Sequence, residues 1–306
     1  MLVRRDGLVV GQPAHAWVSG QLARAWGNRA FPAPTPREPF CLAAEQHDVG
    51  WADADLAPVA GPDGRPLSFM EQPRSVHVAI WRGAARRLLA QSRYATLLVS
   101  LHGTSLYERV DAAAQPPDVA AAIAAYLEGE RALQERLSAG LDPAEVDRNR
   151  RLLLALDRLS LMLCHGRATT LEDVPAADGS ATIAVAPAGD SGAAAERDHA
   201  TERDHAAERD HAAEGDHAAE RDHAAERDHA AERDDAAERD AAAVPAATPA
   251  ARFVLDPWPF AAGSVAVGCE ARRLDGPHAG DDALRAALAA APWVPLRWVL
   301  SPGRSR

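Results

Sequence analysis

One segment of the chain has almost no side chains that can form a hydrophobic core, and it most limits the possible fold. Residues 191–250 contain eight copies of a hexapeptide close to ERDHAA and almost no apolar side chain larger than alanine. Six residues turn an α-helix through about 600°, so successive copies step by about 120° and no residue type lines one face. We therefore predict a solvated helix or a disordered linker, which leaves about 246 of the 306 residues for a core.

The composition excludes several classes of partner. Eight glutamates, nine aspartates and seven arginines in residues 196–243 account for −10 of the net charge of −11. Elsewhere there is no large basic patch, so we expect no nucleic-acid partner. No run of 18 apolar residues and no signal-peptide pattern occurs, so we expect no membrane partner. The three cysteines are far apart and form no CxxC pair, which is typical of a reducing compartment, and we expect a cytoplasmic protein.

Hydrophobic periodicity predicts helices before residue 170 and short strands after it. After an initial short strand, the helices are expected to begin at Pro13 and to cover about 39–49, 74–91, 95–106, 117–138 and 142–165. The runs ATIAVAP, RFVLDPWPF and SVAVGCEARRL indicate a small antiparallel sheet, and DDALRAALAAA indicates one more helix. We therefore predict three parts: a helical metal-binding domain (1–170), a small α+β extension (171–190 and 251–306) and the repeat insert (191–250).

Single polar residues interrupt the apolar stripes of five predicted helices. These residues are His15, the pair His47 and Asp48, His77, His102 and Asp157. Burying an unpaired imidazole or carboxylate is costly, so five helices are not expected to do so without a shared partner. A metal centre supplies that partner. We predict two divalent ions (Mn, Fe, Mg or Co), the first held by His15, His47, Asp48 and Asp157, the second by Asp48, His77 and His102.

The order H…HD…H…H…D, over about residues 10–165, resembles the HD-domain superfamily of metal-dependent phosphohydrolases and its dinuclear branch. That resemblance implies a mostly α, HD-domain-like helical bundle in which the HD pair lies inside a helix. The motifs QPAHAW, EQHDVGW and DPWPF are similar to an uncharacterised bacterial family, domain of unknown function 3891. Its members usually read HDDGW, and Val49 stands in place of the second acid here. Membership of that family implies no activity.

The leading functional hypothesis is hydrolysis of a phosphate ester by the two ions and Asp48. The chain contains no lysine, so arginine must contact any phosphate group, and Arg74 and Arg82 on the predicted helix of His77 are the candidates. One alternative is an HD-type diiron oxygenase that acts on a small organic substrate. Another is a non-catalytic, metal-stabilised sensor or binding module, although the intact ligand set argues against it.

Overall fold

A curled mixed sheet packs against a layer of helices in the part of the chain that can be described. The computed structural model of the protein describes residues 1–108, 110–188 and 250–303. Met1–Gly189 and Ala247–Arg306 form one unit. The repeat insert, with its predicted helix or linker, lies outside the described residues.

Seven of the described helices lie between β2 and β3 in the chain, and the eighth lies between the last two strands. They are α1 (Gln12–Ala25), α2 (Arg37–Gln46), α3 (Ala52–Leu56), α4 (Arg74–Ala84), α5 (Arg93–Ser105), α6 (Pro117–Ser138), α7 (Pro143–His165) and α8 (Asp281–Ala290). Short 3-10 turns cover Val49–Trp51, Ala85–Leu88 and Ala112–Ala114. Among the helices described, none has the length and apolar content needed to cross a membrane.

Seven strands of the described residues form one sheet. They are β1 (Leu2–Val3), β2 (Leu8–Val10), β3 (Thr169–Ala176), β4 (Gly179–Pro187), β5 (Ala251–Asp256), β6 (Val265–Arg273) and β7 (Trp293–Pro302). The strand order is β1-β2-β6-β7-β5-β4-β3. Neighbours are antiparallel except β5 and β7, which run parallel with Phe253 opposite Leu300. Leu8 pairs with Arg273, so the hairpin at the start of the chain joins the later strands.

The sheet and the helices share one hydrophobic core. Every second residue of β6 from Val265 to Ala271 is buried, as expected for a strand with one covered face. On α7, the buried leucines Leu152, Leu156, Leu159 and Leu163 recur every three or four residues, so that helix presents one apolar stripe. Both sets belong to the same buried cluster. The sheet therefore supports the helices that carry the polar residues discussed below.

The predicted mostly α, HD-domain-like bundle with a small sheet is wrong. The structure has a seven-stranded mixed sheet that is as central to the core as the helices. The strands after residue 170 were visible in the sequence pattern, but β1 and β2 have only two and three residues and show no alternation. Sequence periodicity also does not reveal which strands pair. The joining of the first hairpin to β6 was therefore missed.

Candidate metal centre

The structure brings five of the predicted ligands together from four helical elements. His15 lies on α1, His47 and Asp48 follow α2, His102 lies on α5 and Asp157 on α7. They form two overlapping groups, His15 with His47 and Asp48, and His47 with His102 and Asp157. Within each group, the possible ligand atoms lie within 4.8 Å of one another. We call these five residues the metal-centre cluster.

Helices α1 and α2 approach each other closely at Gly20. A Cβ atom on Gly20 would lie only 2.7 Å from the Cβ of Glu45, so a larger residue would push the helices apart. Helix α1 has Pro13 in its first turn, and Asp55 accepts a hydrogen bond from the backbone N–H of Gln12. Gly11, the residue before the helix, has no side chain that could cap it, and the carboxylate of Asp55 takes that role. The two helices are thereby held where His15 can reach the end of α2.

The His47–Asp48 pair lies at the end of a helix, and not inside one as the HD resemblance implies. His47 ends α2 with helical dihedral angles, and Asp48 has φ −102° and ψ 18° before the turn Val49–Trp51. Consecutive side chains on an α-helix point about 100° apart. The change of backbone conformation at Asp48 lets both side chains enter the same cluster.

Helices α5 and α7 supply the remaining two residues. Ser92 caps α5 by accepting a hydrogen bond from Ala95, and His102 lies in its last turn. Asp142 caps α7 in the same way, and Gly166, with φ 70°, ends it. Both helices thus have defined ends, and this fixes the positions of His102 and Asp157 along the two helix axes.

Three of the four distances between possible ligand atoms are those expected around a metal ion, and the fourth, between His15 and Asp48, is that of a hydrogen bond. Nε2 of His15 lies 2.7 Å from Oδ2 of Asp48. Nε2 of His47 lies 3.2 Å from Oδ1 of Asp157 and 3.8 Å from Oδ2 of Asp48. Nε2 of His102 lies 3.8 Å from Oδ2 of Asp157. Metal–ligand bonds of about 2.1 Å place neighbouring ligand atoms about 3 to 4 Å apart.

Two of the histidines make hydrogen bonds at Nδ1, and these bonds orient their rings so that Nε2 faces a carboxylate. Nδ1 of His47 donates to the carbonyl oxygen of Ala44 at 2.9 Å, and a carbonyl can only accept. In neutral His47 the lone pair is therefore on Nε2, which faces the carboxylates. Nδ1 of His15 lies 2.9 Å from the hydroxyl oxygen of Ser160. Such hydrogen bonds on the far ring nitrogen are typical of metal-binding histidines.

The cluster is buried, and its carboxylates and imidazoles shift one another's pKa values. Burial acts to lower the pKa of His47, but Asp48 and Asp157 overcome this and raise it to about 9. Burial acts to raise the pKa of both carboxyls, and the neighbouring histidines overcome it and lower both. Burial, followed by the charge on His47, lowers the pKa of His102 to about 4. The carboxylates thus favour a cation or a proton between them.

The residues fit a divalent metal ion. With neutral imidazoles the cluster carries a charge of −2 from Asp48 and Asp157, and Asp48 and the three histidines are almost completely buried. A buried charge of this size requires a partner of opposite charge. Nδ1 of His102 is also buried without a hydrogen-bond partner among the described residues. Three imidazole nitrogens and two carboxylates suit zinc, iron and other divalent first-row metals.

The structure does not bring His77 into either group. Nε2 of His77 contacts the carbonyl oxygen of Phe69. Its ring packs edge-on against Trp51, with the ring centroids 4.9 Å apart. Burial lowers the pKa of His77, which favours its neutral form. Its predicted role as a ligand of a second ion stays a prediction.

The two arginines proposed to bind substrate lie on α4. Arg74 is half-buried at the first position of the helix, and burial lowers its pKa while Tyr107 opposes this. Arg82 lies two turns later and is exposed. Its backbone carbonyl accepts a hydrogen bond from Arg86. A role for either arginine in catalysis stays a prediction.

Sequence reasoning missed two buried serines behind His15. Ser160 contacts Nδ1 of His15, and Ser19 contacts Ser160, with 2.9 Å between the atoms in each case. Ser19 follows His15 by one helical turn, and Ser160 follows Asp157 by three residues. The signal was therefore present, because each serine continues the helical face that carries a predicted ligand.

Comparisons with known proteins identify a family and no activity. No curated protein and no solved structure matches the chain, and the resemblance to the HD-domain superfamily has no support. The sequence model of one family, described as "Protein of unknown function (DUF3891)", matches residues 1–276. The matched range contains the whole metal-centre cluster. The chain therefore belongs to the DUF3891 family of proteins of unknown function.

Proposed function

We propose that the metal-centre cluster binds divalent transition-metal ions and that the protein hydrolyses a small phosphate ester there. The observation that carries this proposal is the orientation of His47. Its Nδ1 is held by the carbonyl of Ala44, and its Nε2 faces the carboxylate of Asp157 at 3.2 Å. A neutral imidazole and a carboxylate both offer lone pairs, so they repel unless a cation or a proton lies between them.

The positions of the donor atoms support one principal ion and a second, weaker one. His47 belongs to both groups, but Nε2 has a single lone pair and can bind only one ion. We therefore assign His15, His47, Asp48 and Oδ1 of Asp157 to the first ion. Oδ2 of Asp157 faces His102, so these two residues would hold the second ion, and Asp157 would serve both ions, the role that the sequence analysis gave to Asp48.

The exposure of the cluster residues indicates the side from which a substrate can reach the metal centre. A bound divalent ion lowers the pKa of a coordinated water molecule and offsets the charge of a phosphate group. His15, His47 and His102 are buried and exclude bulk water, whereas the side chain of Asp157 is 16% exposed. Substrate is therefore expected to approach on the side of Asp157. Arg74 is half-buried and, in a chain without lysine, is a candidate to contact the phosphate oxygens.

One observation favours a second candidate function. His15, His47 and Asp48 are two histidines and one carboxylate, the ligand type used by non-haem Fe(II) oxygenases. Such an enzyme requires a redox-active ion and dioxygen, whereas a hydrolase requires only a Lewis acid. The two functions are therefore distinguishable by the metal and the gas supplied.

The test is an anaerobic assay of phosphate release from phosphomonoesters, phosphodiesters and nucleotides, with Mn, Co, Fe or Mg added separately. We expect release with at least one of these metals in the absence of dioxygen, and its loss in Asp157→Asn. Asp147→Asn is the matched control, because Asp147 lies on the same helix but pairs with arginines at the surface. A parallel aerobic assay with small organic substrates tests the alternative, and oxygen consumption by the iron form alone, without phosphate release in the anaerobic assay, would support the oxygenase. Metal binding without either activity would support the non-catalytic module.

A further inference from the structure

Two buried hydroxyl groups lie on the side of His15 away from Asp48, and the nearer one, that of Ser160, contacts its ring. Oγ of Ser160 lies 2.9 Å from Nδ1 of His15, 2.9 Å from Oγ of Ser19 and 2.8 Å from the carbonyl oxygen of Asp157. Oγ of Ser19 also lies 3.3 Å from the carbonyl oxygen of Leu156. Both serines are fully buried.

The number of hydrogen atoms limits how these groups can bond. Each hydroxyl has one hydrogen, and each carbonyl oxygen can only accept. When Ser160 donates to the carbonyl of Asp157, its oxygen offers only lone pairs to His15, so Nδ1 of His15 must be the donor. Nε2 of His15 then carries a lone pair directed at Asp48. When Ser160 donates to Nδ1 instead, His15 carries its proton on Nε2 and cannot bind a metal ion there.

We propose that Ser160 is a positioning residue that holds His15 in the form with the proton on Nδ1, so that Nε2 can bind a metal ion. The proposal rests on the metal centre described above. Helix α7 supplies both Asp157, a ligand, and Ser160, which orients another ligand. Ser19 contacts the far side of Ser160 and gives its hydroxyl oxygen a second neighbour.

Variants of the full chain test this role through metal affinity. In a Zn²⁺ titration against a competing chelator, Ser160→Ala is expected to bind about 10- to 100-fold more weakly, the usual cost of losing a group that orients a ligand. Ser160→Thr keeps the hydroxyl and should recover most of the affinity. Ser19→Ala is the matched control, because it deletes an equally buried hydroxyl but leaves the Ser160–His15 contact. Its loss of affinity should be smaller than that of Ser160→Ala.

The protonation state of His15 gives a readout that simple destabilisation would not produce. In the Zn²⁺-loaded wild-type protein, long-range ¹H–¹⁵N spectra should show a proton on Nδ1 of His15, assigned by comparison with His15→Gln. Because any neutral imidazole that binds Zn²⁺ through Nε2 carries its proton on Nδ1, the same spectra of the metal-free wild-type protein decide whether the contact with Ser160, and not the ion, holds the proton there, even if Ser160→Ala does not fold. A proton on Nε2 in the metal-free protein, or wild-type affinity in Ser160→Ala, would overturn the role of Ser160 and leave the metal centre standing. A wild-type protein that binds no Zn²⁺ would overturn both proposals.

Discussion

Nε2 of His15 lies 2.7 Å from Oδ2 of Asp48, although the two residues are 33 positions apart, with His15 on α1 and Asp48 after the end of α2. Both side chains are buried. Removing one partner leaves the other buried without its contact, which costs more than the contact itself contributes. The pair therefore links the packing of α1 against α2 to the chemistry of the cluster, and substitutions at either residue affect both.

The first prediction concerns metal content. Asp48→Asn should lose the tightly bound ion, because a neutral amide replaces a charged ligand. His77→Gln should retain it, since His77 contacts Phe69 and Trp51 outside the cluster. Metal content is measured by elemental analysis after dialysis, with all proteins full length so that any ion bound by the six histidines of the repeat insert is common to them.

Asp53→Asn is the matched control for the loss of a carboxylate near Asp48. The side chain of Asp53 is 78% exposed and pairs with Arg87. This variant should keep the wild-type metal content. Full metal content in Asp48→Asn would remove Asp48 from the ligand set, whereas loss of an ion in His77→Gln would restore the ligand set predicted from the sequence.

A second prediction concerns the packing behind His102. A Cβ atom on Gly103 would lie 2.5 Å from the hydroxyl oxygen of Tyr126 and 2.8 Å from Cε3 of Trp81. Gly103→Ala should therefore lower the free energy of unfolding by about 1 to 3 kcal/mol, measured by urea denaturation. Gly129→Ala is the control on α6, where a Cβ atom meets nothing within 4 Å, and it should be neutral or stabilising by up to about 1 kcal/mol. Equal effects would contradict the close packing at Gly103.

The positions of the cluster residues could be predicted because helical periodicity is visible in a single sequence. A polar residue in an apolar stripe will be buried, and five residues of this kind were found to lie together. The same argument selected His77, which is also half-buried on an amphipathic helix. Periodicity shows which face is buried, but not which buried side chains meet. His77 contacts the backbone carbonyl of Phe69, and the spacing of apolar residues in the sequence does not predict that contact.

The sheet was less predictable, since pairing depends on residues far apart in sequence. Leu8 pairs with Arg273 across almost the whole chain. Strands β5 and β7 run parallel, so the chain must cross back between them, and it does so through β6 and α8. No local pattern specifies either choice. The shared core of sheet and helices follows from these pairings, so the error in fold class has the same origin.

A third prediction gives the pH dependence of the metal-free protein. The pKa of His47 is raised to about 9 in the folded state, against about 6.5 in the unfolded chain. The stabilisation that it contributes is therefore complete below pH 6.5 and is lost as the pH rises through 9. The pKa of His102 is lowered to about 4, so its contribution is present above pH 6.5 and lost as the pH falls towards 4. Stability should be greatest near pH 6.5.

Urea denaturation with a chelator present, between pH 4 and 9.5, measures this profile. In His47→Gln the decrease between pH 6.5 and 9 should be largely absent, because no imidazole takes up the proton. Bound metal should also reduce that decrease, since it replaces the proton on Nε2. An unchanged alkaline decrease in His47→Gln would show that another group causes it.

The last prediction concerns a second buried carboxylate, that of Glu130 on α6. Its oxygens accept hydrogen bonds from Arg86 at 2.6 Å and from Ser100 at 2.7 Å. Glu130 is only 1% exposed, whereas the side chain of Arg86 is 43% exposed. Arg86→Ala should cost about 2 to 4 kcal/mol of unfolding free energy, because it leaves a buried carboxylate without its cation. Glu130→Gln should cost only about 1 kcal/mol, because the amide can keep the contact with Ser100 and Arg86 can turn to water. Denaturation curves of both variants give the comparison, and a larger loss in Glu130→Gln would mean that the charge on Glu130, and not its burial, dominates this contact.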